Sequence, residues 1–220
     1  MREADAKRSY WDRMATRRTF THPLRAELIR NRVPAAGRIL DYGCGYGRTC
    51  AQLVEAGYPD VVGVDTSAAM IRQGLHLHPH LKLRHIAPDA IPFAGNTFAA
   101  CLLFAVLTCI PENSNQQRLA TELHRVLQPN GILYLSDYPL QSNARNRKRY
   151  DRFKDEFGTF GVFRLPDGGV FRHHAMAWIY ALMSDFSILR EETFEVTTMN
   201  GNPAKIFQII AKKTSGDAEA

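Results

Sequence analysis

The run Ile39-Leu-Asp-Tyr-Gly-Cys-Gly-Tyr-Gly47 constrains this chain more than any other stretch. It sets Asp41 two places ahead of three alternating glycines, at the end of an apolar, strand-like segment. Glycine carries no Cβ and tolerates positive φ, so such a run lets the backbone turn sharply and lets a ligand approach the main chain. Arg48 to Ala56 then reads as a helix and Val61 to Val64 as a second strand ending on Asp65. A strand, glycine turn, helix and strand closed by a carboxylate is a nucleotide-binding unit, with the acid placed to accept the hydroxyls of a ribose.

The spacing of the glycines separates two cofactor classes. A dinucleotide fingerprint needs Gly-x-Gly-x-x-Gly, but the sixth position counted from Gly43 is Arg48. Strict alternation of Gly43, Gly45 and Gly47 after Asp41 resembles motif I of the class I S-adenosylmethionine-dependent methyltransferases. The resemblance extends through Val61-Val-Gly-Val-Asp-Thr-Ser-Ala-Ala-Met70, Asp89-Ala-Ile-Pro-Phe93, the strand Phe98 to Leu107, and Gln117 to Leu135, so it covers about residues 36 to 138. It implies S-adenosylmethionine as cofactor and S-adenosylhomocysteine as product. It implies that Asp41, Gly43, Cys44 and Gly45 form the glycine loop, and that Asp65, with Thr66 and Met70 after it, binds ribose and adenine. Pro88, Asp89 and Ala90 fall in the adenine loop, Phe104 and Ala105 at the floor after strand four. Helices near the N-terminus would close over the methionine end, making Tyr10, Trp11 and Arg18 candidates to touch it.

The fold expected is α/β: a Rossmann-like, mostly parallel seven-stranded sheet with helices on both faces and strand seven antiparallel. Residues 1–220 read as one domain, with N-terminal helices over residues 1–35 (Ala4 to Arg17 and His22 to Asn31). A chain of 220 residues that is 45% apolar has enough material for one such core. The longest apolar stretch, Phe98 to Leu107, is far short of the ~20 residues that cross a bilayer. No membrane association is expected, and without a signal-peptide pattern at the N-terminus the cytoplasm is the expected location. Cys44, Cys50, Cys101 and Cys109 show no Cys-x-x-Cys spacing, so no metal site is expected.

Charge is concentrated in one place. Gln141 to Lys154 holds six cations and one acid, which accounts for most of the formal net charge of +6. Tyr150, Phe153 and Phe157 recur there at helical spacing, giving an aromatic stripe on a basic helix. After it, two Val-Phe-Arg triplets flank Leu165-Pro-Asp-Gly-Gly169, a hairpin signal. Residues 141–174 therefore read as a helix and hairpin inserted after strand five, over the crevice where such sheets bind ligands, acting as a cap or as a dimer arm. Strands six and seven follow, over Ser187 to Thr197 and Lys205 to Lys212.

The chemistry implied is in-line methyl transfer, in which the protein aligns the reactants and excludes water. A base is required only for a protonated nucleophile; His173, His174 and His22 are candidates. Tyr138, Thr108 and Cys109 fall by topology at the acceptor pocket, with Asp137 beside them, and Arg147 and Arg149 are candidates to read an anion. The expected acceptor is a small molecule, and the basic segment suits an anionic one. Two alternatives stand beside this: methylation of RNA through residues 145–154, and a non-catalytic module that binds the cofactor or its product. The small size of the basic patch speaks against RNA. The reading assigns no oligomeric state.

Overall fold

The computed structural model describes residues 10–15, 20–88 and 91–214. Seven strands form the main sheet: β1 (Ile39–Tyr42), β2 (Val61–Asp65), β3 (Lys82–His85), β4 (Phe98–Phe104), β5 (Leu127–Asp137), and then β8 (Phe186–Thr197) and β9 (Pro203–Lys213). A separate hairpin pairs β6 (Val162–Arg164) with β7 (Val170–Arg172). The order across the sheet is β3-β2-β1-β4-β5-β9-β8. The first five strands are mutually parallel, and β9 runs antiparallel to both neighbours. This is the Rossmann-like sheet that the motifs imply, with the seventh strand reversed.

Side-chain alternation builds two cores from one sheet. Ile39, Val61, Leu102, Tyr134 and Ile210 face one side, where they meet helices α1 (Glu27–Arg30), α2 (Arg48–Glu55) and α3 (Ala68–Leu77) through Ile29, Leu53 and Ile71. Leu40, Val62, Leu103, Leu135 and Ile209 face the other, under α4 (Asn113–Val126) and α6 (Met176–Leu182), through Leu123 and Ile179. The order turns back between β1 and β4, and the crevice at the carboxyl ends of these strands is the topological place for a ligand.

Between β5 and β6 lies α5 (Ala144–Phe157). The Asn143 side chain accepts from the Asn146 N–H at its start, and Gly158, in the left-handed region at φ 61°, ends it. The expected hairpin is present, with Phe163 opposite Phe171. Its rings pack with Tyr150 of α5 and with Tyr10 and Met14, so helix, hairpin and residues 10–14 share one small core. Gly161 holds this unit to the strand that leads into His173: its carbonyl accepts from His173 N–H, and its φ is +99°. A Cβ there would overlap the His173 carbonyl oxygen. Gly161→Ala is expected to cost about 2 kcal/mol, lowering Tm by roughly 5 °C; an unchanged melting curve would contradict that fit.

One element differs from expectation. The helix anticipated over His22 to Asn31 is reduced to Glu27–Arg30, and residues 20–25 are non-helical. Pro23 has no N–H to donate, and His22 is drawn instead to Ser136 at the end of β5, Nδ1 to Oγ 3.1 Å. Of the other N-terminal helix, residues 10–14 are helical among those described. No helix among the described residues is long and apolar enough to cross a membrane.

Candidate functional site

A cavity of about 970 Å³ opens at the carboxyl ends of β1, β2, β4 and β5, between the glycine loop and α5 with its hairpin. The loop is pinned to β2, since Gly43 N–H and Cys44 N–H both donate to the Val64 carbonyl, at 2.8 and 3.0 Å. Gly43 and Gly45 have φ of 74° and 56°. A Cβ at Gly43 would strike Val106, and one at Gly45 would strike the ring of Phe20. Phe20 stacks on Tyr46, with centroids 5.1 Å apart, and with Trp11 forms an aromatic wall beside the loop.

Asp65 closes the loop from the β2 side. Its Oδ2 accepts from Gly45 N–H and its Oδ1 from Ser67 N–H, both at 2.8 Å. The Thr66 N–H adds a third backbone donor, and the remaining acceptor capacity of the carboxylate faces the cavity it lines. Burial raises its pKa above the ordinary carboxylate value. Asp41, beneath the loop, accepts from the Cys50 thiol at 3.3 Å and is pushed up to about 6 by burial. Asp12 accepts from the Ser67 hydroxyl and from Ala69 N–H, fastening the helical turn at residues 10–14 to the start of α3.

The opposite wall belongs to α5. Arg145, Lys148, Arg149 and Arg152 line the cavity, at i, i+3, i+4 and i+7 of one helical face. Arg149 lies over the Phe163 ring, 3.6 Å from its centroid, and donates to Asn146. Burial lowers the pKa of its guanidinium, without making it neutral. Arg147 faces solvent and donates to the Ser142 carbonyl.

Between the two walls, His173 lies face to face with Tyr138, at 5.2 Å, and its Nδ1 is 2.6 Å from the Tyr150 hydroxyl. Burial, then Arg149, His174 and Arg145, hold its pKa well below the usual histidine value. His22 meets Tyr138 edge-on, at 4.7 Å, and burial takes its pKa down to about 3. Its Nε2 is buried with no partner among the described residues, and the residue lines the cavity. Ala105, just past β4, holds φ +54°, a strained value for a residue with a Cβ and of a kind that gathers at ligand sites.

Of the residues proposed from sequence for the cofactor, Asp41, Gly43, Cys44, Gly45, Asp65, Thr66, Met70, Pro88, Phe104 and Ala105 line this cavity. Arg18, Asp89 and Ala90 lie outside the described residues. Tyr10 is buried behind Trp11 and donates to Asp167. Thr108, Cys109, Tyr138, Arg149 and His173 also line it; Arg147 and His174 do not. His174 is fully buried, with Nε2 2.9 Å from the Gln116 amide nitrogen and Nδ1 3.3 Å from the Tyr138 carbonyl oxygen. Sequence reasoning missed Phe20, Arg145, Lys148, Arg152, Phe163 and Phe171. The three cations share the helical period of Arg149, and Phe163 and Phe171 lie in the matched Val-Phe-Arg triplets.

Comparison with known proteins agrees with this geometry. Residues 40–135 match the family model described as a methyltransferase domain. A crystal structure of a SAM-dependent methyltransferase from Methanosarcina mazei superposes with a TM-score of 0.80 at 26% identity, covering 85% of this chain and 97% of that one. A trans-aconitate 2-methyltransferase of Azoarcus sp. (strain BH72) is 35% identical over 177 residues, 74% of this chain and 62% of that protein. An N-demethylindolmycin N-methyltransferase of Streptomyces griseus is 31% identical over 148 residues, 64% of this chain and 62% of that protein. The chain therefore spans somewhat less than two thirds of these two curated relatives. By fold, motif and family match it carries a class I S-adenosylmethionine-dependent methyltransferase domain.

S-adenosylmethionine is the cofactor of that class, and the residues present fit it. Two glycines have no room for a side chain, and a carboxylate with remaining acceptor capacity closes the loop between them and β2. Gly43, Cys44 and Gly45 would hold its amino-acid end, Asp65 the ribose, and Met70 with Phe104 the adenine. When bound, it supplies a methyl group activated on a sulfonium.

Proposed function

We propose that this protein transfers a methyl group from S-adenosylmethionine to a small anionic acceptor held beneath a cap formed by residues 141–174. The observation that carries the reading is the stripe of Arg145, Lys148, Arg149 and Arg152 on the wall opposite the glycine loop. Guanidinium groups offer a planar fork of donors that matches carboxylate or phosphate. Arg149 is half-buried there, so its charge is less screened by solvent than those of Arg145, Lys148 and Arg152, which stay exposed. The relative named for trans-aconitate, a polycarboxylate, supports the same class of acceptor. In this reading the aromatic wall of Trp11, Phe20 and Phe163 excludes water, while the cap cations orient the acceptor toward the methyl.

The test is methyl transfer to a panel of small polycarboxylates, comparing the wild type with an Arg149→Gln/Arg152→Gln double variant. Losing two charge-assisted contacts is expected to raise the acceptor KM by about 100-fold, with S-adenosylmethionine affinity within twofold of wild type. An unaltered KM would return α5 to a solvated basic face. If activity instead required Arg147 and Lys154 and fell steeply with salt on RNA, the acceptor would be a nucleic acid.

A further inference from the structure

The hydrogen bonds around His173 fix which of its nitrogens carries the proton. Tyr150 Oη accepts from Gln141 N–H at 3.1 Å and lies 2.6 Å from His173 Nδ1. No other acceptor among the described residues is within reach of that hydroxyl, so its single proton goes to Nδ1. A neutral imidazole holds one N–H, and with Nδ1 accepting, that N–H is on Nε2. The groups facing His173 are Arg145, Arg149 and Tyr150 on α5, Tyr138 after β5, Phe163 on β6, and His174 in the chain. Burial and the two arginines keep it neutral. A neutral ring with a committed Nδ1 is a hydrogen-bond donor on the cavity wall and has no free lone pair to act as a base.

Among the described residues of the acceptor half, the other histidines and the carboxylates are no better placed to act as a base, and the Cys109 thiol donates to the Ala105 carbonyl. His22 is held neutral down to about pH 3, and His174 lies outside the cavity. Glu112, Glu122 and Asp167 line the wall but already accept from Asn115, Arg125 and Tyr10. Arg125 holds Glu122 below the ordinary carboxylate value, and a carboxylate is in general too weak a base to deprotonate an ammonium near 10. The four cations of α5 oppose the entry of an ammonium in the first place.

We infer that the methyl acceptor is a carboxylate oxygen of a small polyacid, converted to a methyl ester without a general base, with His173 orienting that carboxylate through Nε2–H and Tyr150 acting as the positioning residue. The inference rests on the methyltransferase reading above and deepens it. A carboxylate near pKa 4 arrives already ionised at neutral pH. A lone pair of its oxygen forms the O–CH₃ bond as the S–CH₃ bond breaks, and the electron pair of that bond stays on sulfur. The negative charge of the acceptor and the positive charge of the sulfonium disappear together, and no proton moves.

The test uses the full chain with methyl-labelled S-adenosylmethionine and either citrate, trans-aconitate or tricarballylate, or spermidine as the amine control. Expected is label on a polycarboxylate that mild alkali releases as methanol, with a kcat flat between pH 6 and 9. His173→Leu and Tyr150→Phe should each raise the acceptor KM about tenfold, and His173→Gln, which still offers an N–H, should lose less than His173→Leu. The same ranking is expected for acceptor binding to the protein saturated with S-adenosylhomocysteine, measured by calorimetry without turnover. Alkali-stable label on spermidine overturns the inference, as does a pH–rate slope of one that vanishes in His173→Gln, which would make His173 a base. Failure to methylate any carboxylate while S-adenosylmethionine binds also overturns it. Failure to bind S-adenosylmethionine at all instead removes the methyltransferase reading beneath it.

Discussion

Asp65→Ala is expected to lower the affinity for S-adenosylmethionine by at least 100-fold, roughly 3 kcal/mol, while the chain remains folded. The carboxylate does two jobs at once. It holds Gly45 N–H and Ser67 N–H, which fixes the loop against the start of α3, and in the proposed reading its remaining acceptor capacity takes the ribose hydroxyls. Alanine strands both backbone donors and both hydroxyls. Two charge-assisted bonds of about 1.5 kcal/mol each are lost to the ligand, and the loop loosens as well. Titration calorimetry gives the affinity, and circular dichroism checks the fold. A folded variant with wild-type affinity would remove Asp65 from the site.

The second large effect is on stability against pH. His22 and His174 are held neutral to about pH 3, and His173 is lowered too, burial being the first cause in each. A histidine with a depressed folded pKa stabilises the fold above its unfolded value of about 6.5. That contribution is lost as pH falls below 6.5, because the unfolded chain takes up the proton first. Asp41 and Asp137, pushed up to about 6 and about 7 by burial, act in the opposite sense. They are protonated in the fold before the unfolded chain is, so their stabilisation is greatest at low pH and fades as pH rises toward those values. Between pH 6 and 5 the buried histidines take up protons on unfolding, while Asp41, Asp137 and the likewise raised Asp65 release them. The histidine share is expected to show as a difference in the pH slope of Tm between the wild type and a histidine variant. His174→Gln, a change outside the cavity, should lower Tm at pH 7 and flatten the slope. A His174→Gln variant whose Tm follows the same pH slope as the wild type would contradict a neutral buried His174.

The sheet was legible because its signals are local. Ile39 and Leu40 sit in an apolar run that a parallel strand buries on both faces, and Pro166-Asp-Gly168 turns the hairpin. What local pattern could not supply was choice between neighbours. His173 and His174 are adjacent on extended backbone, so they point to opposite sides, one to the cavity and one to Gln116. Arg147 and Arg149 are two apart on a helix, about 200° around its axis, and only one can share the face of Arg145 and Arg152. The failed helix at His22 is a different case. Its partner, Ser136, is 114 residues away, and no window of sequence contains both.

The most direct measurement is isothermal titration of the wild-type protein with S-adenosylmethionine and, separately, with NADH. Alternating glycines at Gly43, Gly45 and Gly47, with Arg48 where a dinucleotide fingerprint needs glycine, predict binding of S-adenosylmethionine on the order of micromolar and no heat with NADH. Binding of NADH with none of S-adenosylmethionine would contradict the account at its root.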